Sequence, residues 1–442
     1  MDTLAAELNR ALDNTVAGRL LSALGRRIFF PKGIISQAAE ARQHAHKANT
    51  TIGMALHKKK PLTLSAIIEP MPSFTPEEIV SYAPTSGLDK LREVWRAEML
   101  KKNPSLNAGC ISLPIVVPGL TAGVSYMGDL FLEEGKTILT AIPYWDNYEL
   151  LFSQKLGATI TSVPFIRTDS PGGLDLASIK KAMEAEASKG TVRLLFSFPQ
   201  NPSGHSPTKA EAKELTDIVL KCAEDGADIL IFCDDAYFGL FYEDNIHKES
   251  LFANFANLHE RVLAIKIDGA TKEDYAWGLR TAFVTFGSKG LDKAAFDALT
   301  QKTLAIIRSS TSCSNTQAQH LLLRAINDKR TKEEKAKNHR IMEERYRIAK
   351  NFISSHPDHP VLKPLSCNSG YFMCFQCVGV SAEKLRQKLL TQEGVGTVTF
   401  KDDYLKVGFC CLDKEEVEFV FETIYKTATD LYPSVLYYLL FN

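Results

Sequence analysis

The chain has 442 residues, of which 45% are hydrophobic and 24% charged, so it suits a globular enzyme and is too long for a single hydrophobic core. Its 52 basic residues balance its 52 acidic ones, which gives no general attraction to nucleic acid or to an anionic membrane. No apolar run reaches transmembrane length and the first residues lack a signal-peptide pattern, so the 9 cysteines are expected to be reduced thiols in the cytoplasm.

The N-terminal part of the chain is predicted to be mainly helical. The segment up to about residue 46 is alanine-rich and amphipathic, which favours an arm of helix that packs on the rest of the molecule. After a turn at Gly87, residues 88–101 carry apolar side chains at helical spacing and predict a second helix.

From residue 115 the pattern alternates between short apolar strands and helices, which predicts a mostly parallel sheet wrapped by helices. Thr208 and Glu211 form a capping-box pattern at the start of one of these helices. The predicted strands are 115–117, 137–141, 159–163, 192–198, 229–233, 262–267 and 281–286. The fold class is therefore α/β.

The C-terminal part is predicted to be a smaller α+β domain that follows a long charged helix at 333–354. It has strands near 371–377 and 404–410 and helices near 382–390 and 414–425. Alternation along the first strand places Cys374 and Cys377 on opposite faces, so these thiols are predicted to be structural and no metal site is expected. We expect residues 1–64 to form the arm and part of the small domain, 65–310 the large domain and 311–442 the small C-terminal domain.

Polar or reactive residues follow several of the predicted strands, where an open parallel sheet binds its ligands. They are Thr121, Trp145, Asn201, Asp234 with Tyr237, and Lys272 with Arg280. A lysine in such a place can form a Schiff base with an aldehyde cofactor, and an arginine can hold that cofactor's phosphate. Each residue alone is better explained by a turn, a cap or a core position, but their joint occurrence at the strand ends predicts a pyridoxal phosphate site.

Each residue of the set has a predicted role. Lys272 would bind the cofactor and later move a proton as general base and acid, and Asp234 would keep the ring nitrogen protonated. Asn201 and Tyr237 would hydrogen-bond the ring's phenolic oxygen. Trp145 would stack on the face of the ring. The phosphate would be bound by Arg280, Thr121 and the N–H groups at the start of the helix near Leu120.

The sequence resembles the class I aminotransferases of fold type I, the aspartate and aromatic amino acid aminotransferase family, from about residue 49 to 421. The motifs that carry the resemblance are Asn201-Pro-Ser-Gly204, Asp234-x-Ala-Tyr237 and Lys272 with Gly278-Leu-Arg280. The resemblance implies a homodimer in which Tyr82 reaches the cofactor phosphate of the neighbouring subunit. It also implies that Gly53 lies near the substrate, in the segment that closes over it.

Two departures from the family pattern concern phosphate and substrate binding. The serine that usually stands three residues before the lysine is replaced by Gly269, for which Thr271 or Thr121 could compensate. The arginine that pairs with the substrate's carboxylate falls on Lys406, which cannot form a bidentate fork. Arg308 stands near the position where some members carry an arginine that recognises an acidic side chain, so Asn201, Gly53, Lys406 and Arg308 are the candidate substrate residues.

Three functions follow from these residues, and the first is preferred. It is an aminotransferase that moves an amino group from an amino acid, of aspartate or aromatic type, to a 2-oxo acid such as 2-oxoglutarate. The second is a carbon–sulfur β-lyase or a related eliminating enzyme, because the cofactor residues are common to both chemistries. The third is a non-catalytic regulator that binds pyridoxal phosphate, for which the sequence offers no basic helix-turn-helix.

Overall fold

The computed structural model describes residues 3–27, 56–57, 60–61 and 74–441, apart from 165, 170, 171, 402 and 413. The described helices in chain order are α1 Thr3–Leu12, α2 Val16–Leu20, α3 Ala23–Arg27, α4 Pro76–Val80, α5 Asp89–Lys102, α6 Leu120–Phe131, α7 Leu176–Ala187, α8 Lys209–Glu224, α9 Leu251–Phe255, α10 Lys293–Ser310, α11 Thr316–Asn327, α12 Lys329–Ser355, α13 Ala382–Gln392 and α14 Lys414–Phe441. The described strands are β1 Leu56–His57, β2 Lys60–Pro61, β3 Ile115–Val117, β4 Thr137–Ala141, β5 Thr159–Val163, β6 Ile166–Arg167, β7 Gly173–Leu174, β8 Thr191–Ser197, β9 Asp228–Asp234, β10 Val262–Gly269, β11 Ala282–Gly287, β12 Leu362–Pro364, β13 Met373–Cys377, β14 Val398–Phe400 and β15 Tyr404–Val407.

A large sheet of seven strands, in the order β3-β11-β10-β9-β8-β4-β5, organises most of the chain. Strands β4, β5, β8, β9 and β10 run parallel, and every residue of β9 and β10 is buried. Strands that are buried along their whole length are typical of a sheet that is covered on both faces. The predicted α/β class with a large, mostly parallel sheet is confirmed.

Strand β11 is the exception in direction, because it pairs antiparallel with both β10 and β3. The sequence pattern showed a strand here but not its direction. An antiparallel strand begins at the edge where its parallel neighbours end. The residues that precede β11, including Arg280, therefore lie at the carboxyl edge of the large sheet.

A four-stranded antiparallel sheet, in the order β12-β13-β15-β14, forms a second and smaller layer. Helix α12 precedes this sheet, α13 packs on β14 and β15, and α14 packs on β13 through Phe421 and Tyr425. The predicted smaller α+β unit is therefore present. Cys374 and Cys377 on β13 are buried, and neither is part of a disulfide bond. The domain boundaries near residues 65 and 311 stay predictions, and most of residues 28–73 lies outside the described part.

Among the described residues, no helix combines the length and the apolar character needed to cross a membrane.

Candidate active site

A cavity of about 150 Å³ opens at the carboxyl edge of the large sheet and gathers residues from five strand ends. Eight of the residues that line it were predicted from the sequence: Leu120, Thr121, Trp145, Asn201, Asp234, Tyr237, Lys272 and Arg280. The other lining residues are Tyr148, Ser197, Ala236 and Thr271. The structure thus brings together side chains that are up to 160 positions apart in the sequence.

Lys272 stands in the turn that follows β10 and points its amine toward Tyr237. The Lys272 Nζ lies 4.8 Å from the centroid of the Tyr237 ring. Burial is the main reason that the pKa of Lys272 is below its ordinary value, Arg280 lowers it further, and the carboxylate of Asp234 opposes both. A lowered pKa increases the fraction of neutral amine, which is the nucleophilic form of a lysine.

Asp234 ends β9 as a buried carboxyl group with defined hydrogen-bond donors. Its Oδ2 accepts a hydrogen bond from the Tyr148 hydroxyl at 2.6 Å, and its Oδ1 accepts one from the Ala236 backbone N–H at 3.2 Å. Burial raises the pKa of Asp234, whereas the Tyr148 hydroxyl and the charge of Lys272 favour its ionised form. A carboxylate held in this way can stabilise a cationic group placed beside it.

Tyr148 and Ser197 are site residues that the sequence reasoning missed. Tyr148 lies three residues after Trp145, and the two rings meet edge to face with centroids 5.5 Å apart. Ser197 ends β8 and lines the same cavity, and its side chain lowers the pKa of Tyr148, against burial and Asp234, which raise it. Two features of the sequence could have identified them. Ser197 ends a buried strand, and Tyr148 is an aromatic residue one helical turn after the candidate Trp145.

The N-terminus of α6 and Arg280 form a part of the cavity that suits an anion. Gly119 precedes α6 with a φ of 98°, and a Cβ atom at this position would lie 2.1 Å from Nη2 of Arg280. Only glycine lets the chain come so close to the guanidinium group. The first N–H groups of α6 lack helical partners, so together with Arg280 they can bind a phosphate.

The structure gives a physical reason for the departure at Gly269. A Cβ atom at this position would lie 2.9 Å from both the Cα of Ala282 and the carbonyl oxygen of Thr281. A serine would therefore collide with the backbone of β11. Thr271 lines the same cavity, and its buried Oγ1 has no hydrogen-bond partner among the described residues. This orphaned hydroxyl group fits a ligand that carries a phosphate oxygen.

Four predicted residues are not among those that line the cavity in the described part of the chain. Tyr82 is exposed, as its predicted role toward a neighbouring subunit requires, with 68% of its surface accessible. Arg308 is exposed in the last turn of α10. Lys406 on β15 is half-buried, with its Nζ 4.6 Å from the centroid of the Phe372 ring. Gly53 lies outside the described residues.

Comparisons with known proteins identify the family. Residues 47–424 match the model of the family described as aminotransferase class I and II. The probable aspartate/prephenate aminotransferase of Aquifex aeolicus is 24% identical over 360 residues, which are 80% of this chain and 83% of the relative.

Solved structures match the fold over nearly the whole chain. An aminotransferase from Anaerococcus prevotii superposes with a TM-score of 0.71 at 19% identity, covering 97% of both chains. The kynurenine aminotransferase of Pyrococcus horikoshii gives a TM-score of 0.67 at 16% identity over 97% of this chain and 95% of that one. From the family model, which spans most of the sequence, we conclude that this chain belongs to the class I and II aminotransferases.

Proposed function

We propose that the chain is a pyridoxal-phosphate-dependent aminotransferase that moves an amino group from an amino acid to a 2-oxo acid. The observation that carries the proposal is that one cavity holds a lysine of lowered pKa, a buried carboxyl group and an arginine beside a helix N-terminus. The family of the chain supports it, and the Pyrococcus horikoshii kynurenine aminotransferase was solved in complex with PMP, KYN as substrates and KYA as products. An aspartate-type or aromatic donor and an acceptor such as 2-oxoglutarate form part of the proposal.

The residues present fit the cofactor. When bound, pyridoxal phosphate supplies an aldehyde that captures amines and a ring that withdraws electrons from the substrate's α carbon. Asp234 would hold a proton on the ring nitrogen by its negative charge, and Trp145 would stack on the ring. Asn201 and Tyr237 would donate hydrogen bonds to the phenolic oxygen.

The phosphate of the cofactor is assigned to donors around the N-terminus of α6. Arg280 provides the positive charge, Thr121 and the N–H groups from Leu120 onward donate from the helix, and Thr271 donates its buried hydroxyl. We assign a further contact to Tyr82 of a second copy of the chain, which makes a homodimer part of the proposal. Its exposure leaves this side chain accessible to such a partner.

Lys272 is assigned the proton transfer. Its amine would hold the cofactor, and it would act as the base that takes a proton from the substrate's α carbon and as the acid that returns it. Its lowered pKa supports the role, because the neutral amine is the form that accepts a proton. Lys406, Arg308, Asn201 and Gly53 are assigned to substrate binding, with Lys406 taking the carboxylate as a point charge.

We also propose that the enzyme works in the cytoplasm, where its 9 cysteines would stay reduced.

The proposal is tested by the absorption spectrum of the purified protein with pyridoxal phosphate, recorded before and after single amino acids are added. We expect a bound-cofactor band that an amino donor converts and that 2-oxoglutarate restores. Lys272→Ala should abolish turnover, while Lys289→Ala, which removes an exposed lysine after β11, should leave it unchanged. Full turnover by Lys272→Ala, or a protein that never takes up the cofactor, would refute the proposal, and release of pyruvate or ammonia would favour the lyase.

A further inference from the structure

The two residues after Lys272 are carboxylates that lie half-buried in the same turn. The turn is closed by hydrogen bonds from Asp274 N to Ala270 O and from Tyr275 N to Lys272 O, both 3.2 Å long. The side chains of Glu273 and Asp274 keep 19% and 15% of their accessible surface. Neither carboxylate lines the candidate cavity, so neither has a role in the chemistry proposed above.

Two lysines from distant helices hold these carboxylates. Lys102, the last residue of α5, places its Nζ 2.7 Å from Oε2 of Glu273. Lys335, near the start of α12, places its Nζ 2.6 Å from Oδ1 of Asp274 and 3.4 Å from Oε1 of Glu273. Both lysine side chains are largely removed from solvent. Because water screens such ion pairs less than exposed ones, they hold the turn more firmly than surface pairs would.

Tyr371, which precedes β13, holds the backbone of the catalytic residue itself. Its hydroxyl group donates a hydrogen bond of 3.0 Å to the carbonyl oxygen of Lys272. Its ring meets the Tyr237 ring edge to face, with centroids 5.5 Å apart, and the Tyr237 ring lies next to the Lys272 amine. Tyr371 thus contacts Lys272 directly at its backbone and indirectly through the Tyr237 ring, which lies next to its amine.

Helix α12 connects this turn with the small sheet. Lys335 binds the turn from the first part of the helix, while further along Arg345 donates to the carbonyl oxygen of Cys410 at 2.7 Å. Lys350 donates to the carbonyl oxygen of Cys367 at 2.9 Å. Those carbonyl groups belong to the segments that carry Lys406 and Tyr371. A shift of α12 relative to the large sheet would therefore act on both the turn and the small sheet.

We propose that Lys335 is a positioning residue for Lys272: with Tyr371, it sets the place of the catalytic amine and links it to α12 and the small sheet. The importance of Lys272 rests on the function proposed above, whereas the contacts do not. Neither Lys335 nor Tyr371 is assigned a contact with the cofactor or the substrate.

The charges around Lys272 set the direction of the expected effect. Asp234 on β9 and Arg280 before β11 face its amine, and Tyr237 contributes its ring. The other titratable groups of the turn are Glu273, Asp274 and Tyr275, with Lys102 and Lys335 bound to them. Removing Lys335 leaves the carboxylates of Glu273 and Asp274 with one cation fewer, and it makes the turn more accessible to water. Both changes favour the charged amine and raise the pKa of Lys272.

The test uses the protein without cofactor and a trace amount of an acetylating reagent. The rate at which the Lys272 amine is acetylated is measured as a function of pH, by mass spectrometry of the peptide that contains Lys272. In Lys335→Met we expect the half-maximal pH to rise by about half a unit, which slows labelling at neutral pH about 3-fold. Lys335→Arg should restore the wild-type profile. The matched control, Lys337→Met, removes an exposed lysine from the same helix and should change nothing.

A second variant separates positioning from folding. Tyr371→Phe keeps the ring on Tyr237 but removes the donor to the Lys272 carbonyl group, and it should shift the labelling profile in the same direction. Wild-type profiles in both Lys335→Met and Tyr371→Phe would overturn the inference. Because labelling needs neither cofactor nor turnover, a failure of the proposed aminotransferase activity would appear separately, in the absorption experiment.

Discussion

The Tyr148 hydroxyl donates a 2.6 Å hydrogen bond to Oδ2 of Asp234, inside the candidate site. Burial and the nearby carboxylate raise the pKa of Tyr148 well above 10, so this side chain stays a donor at every working pH. The bond favours the ionised form of Asp234, which burial alone would disfavour.

Tyr148→Phe is expected to lower kcat about 10-fold, since a hydrogen bond to a charged group is worth about 1.5 kcal/mol or more. Loss of the donor raises the pKa of Asp234, so the acid limb of the pH–kcat profile should move to higher pH. Tyr144→Phe is the control, because the Tyr144 hydroxyl donates its hydrogen bond to Glu149 and Tyr144 does not line the cavity. A Tyr148→Phe enzyme with an unchanged acid limb would contradict the assignment.

Gly119→Ala is expected to weaken cofactor binding at least 10-fold, because the added methyl group takes the space of the Arg280 guanidinium. Its control is Gly135→Ala, which also has a positive φ, 78°, but nothing within 4 Å of the new Cβ. Both variants should lose stability from the backbone conformation, about 1–3 kcal/mol each, measured by urea unfolding. An absorbance titration with pyridoxal phosphate should then show weakened binding for Gly119→Ala alone.

Lys406→Met is expected to raise KM for the amino acid about 10-fold or more with a smaller change in kcat, because it would remove the charge-assisted hydrogen bond that we propose Lys406 makes with the carboxylate. Lys406→Arg should keep KM near or below the wild-type value. Steady-state kinetics of both variants, with Lys384→Met on the exposed face of α13 as control, separate this role from a general effect of charge.

The pH dependence of KM gives an independent check of Lys406. Burial lowers the pKa of this lysine, against the opposing charge of Asp146. The protonated form binds a carboxylate, so KM should rise as the pH increases through this lowered pKa, earlier than for an ordinary lysine. In Lys406→Arg the rise should be absent, since arginine stays charged.

Lys266→Met is expected to destabilise the fold by about 3–5 kcal/mol, because it leaves the carboxylates of Asp235 and Asp268 buried without their cation. The comparison is Lys293→Met, which breaks an exposed ion pair with Asp297 on α10 and should cost about 0–1 kcal/mol. Urea midpoints of the two variants measure the difference. Equal midpoints would show that the buried cluster does not stabilise the fold.

The sequence was sufficient for those parts of the molecule in which residue type determines local structure. Apolar runs predicted β9 and β10, the capping box at Thr208 and Glu211 is present, and the polar residues at the strand ends line one cavity. This works because strands of a parallel sheet end at a common edge, which turns positions in the sequence into neighbours in space.

Contacts between elements that are distant in the chain could not be predicted from the sequence. Nothing in its pattern shows the direction of β11, which depends on the path of the chain between Gly269 and Ala282. Tyr148 has the burial of an ordinary core aromatic, and only its hydroxyl contact with Asp234 distinguishes it. The collision that excludes serine at position 269 comes from the backbone of the adjacent strand.

The hydrogen bond from Tyr371 to the carbonyl oxygen of Lys272 joins residues 99 positions apart, which has a consequence for biosynthesis. At about 5–20 residues per second, a ribosome adds Tyr371 about 5–20 s after Lys272. During that interval the nascent chain already contains its lysine but not the hydroxyl group that holds it. We therefore expect Lys272 to reach its final place only after Tyr371 has been translated.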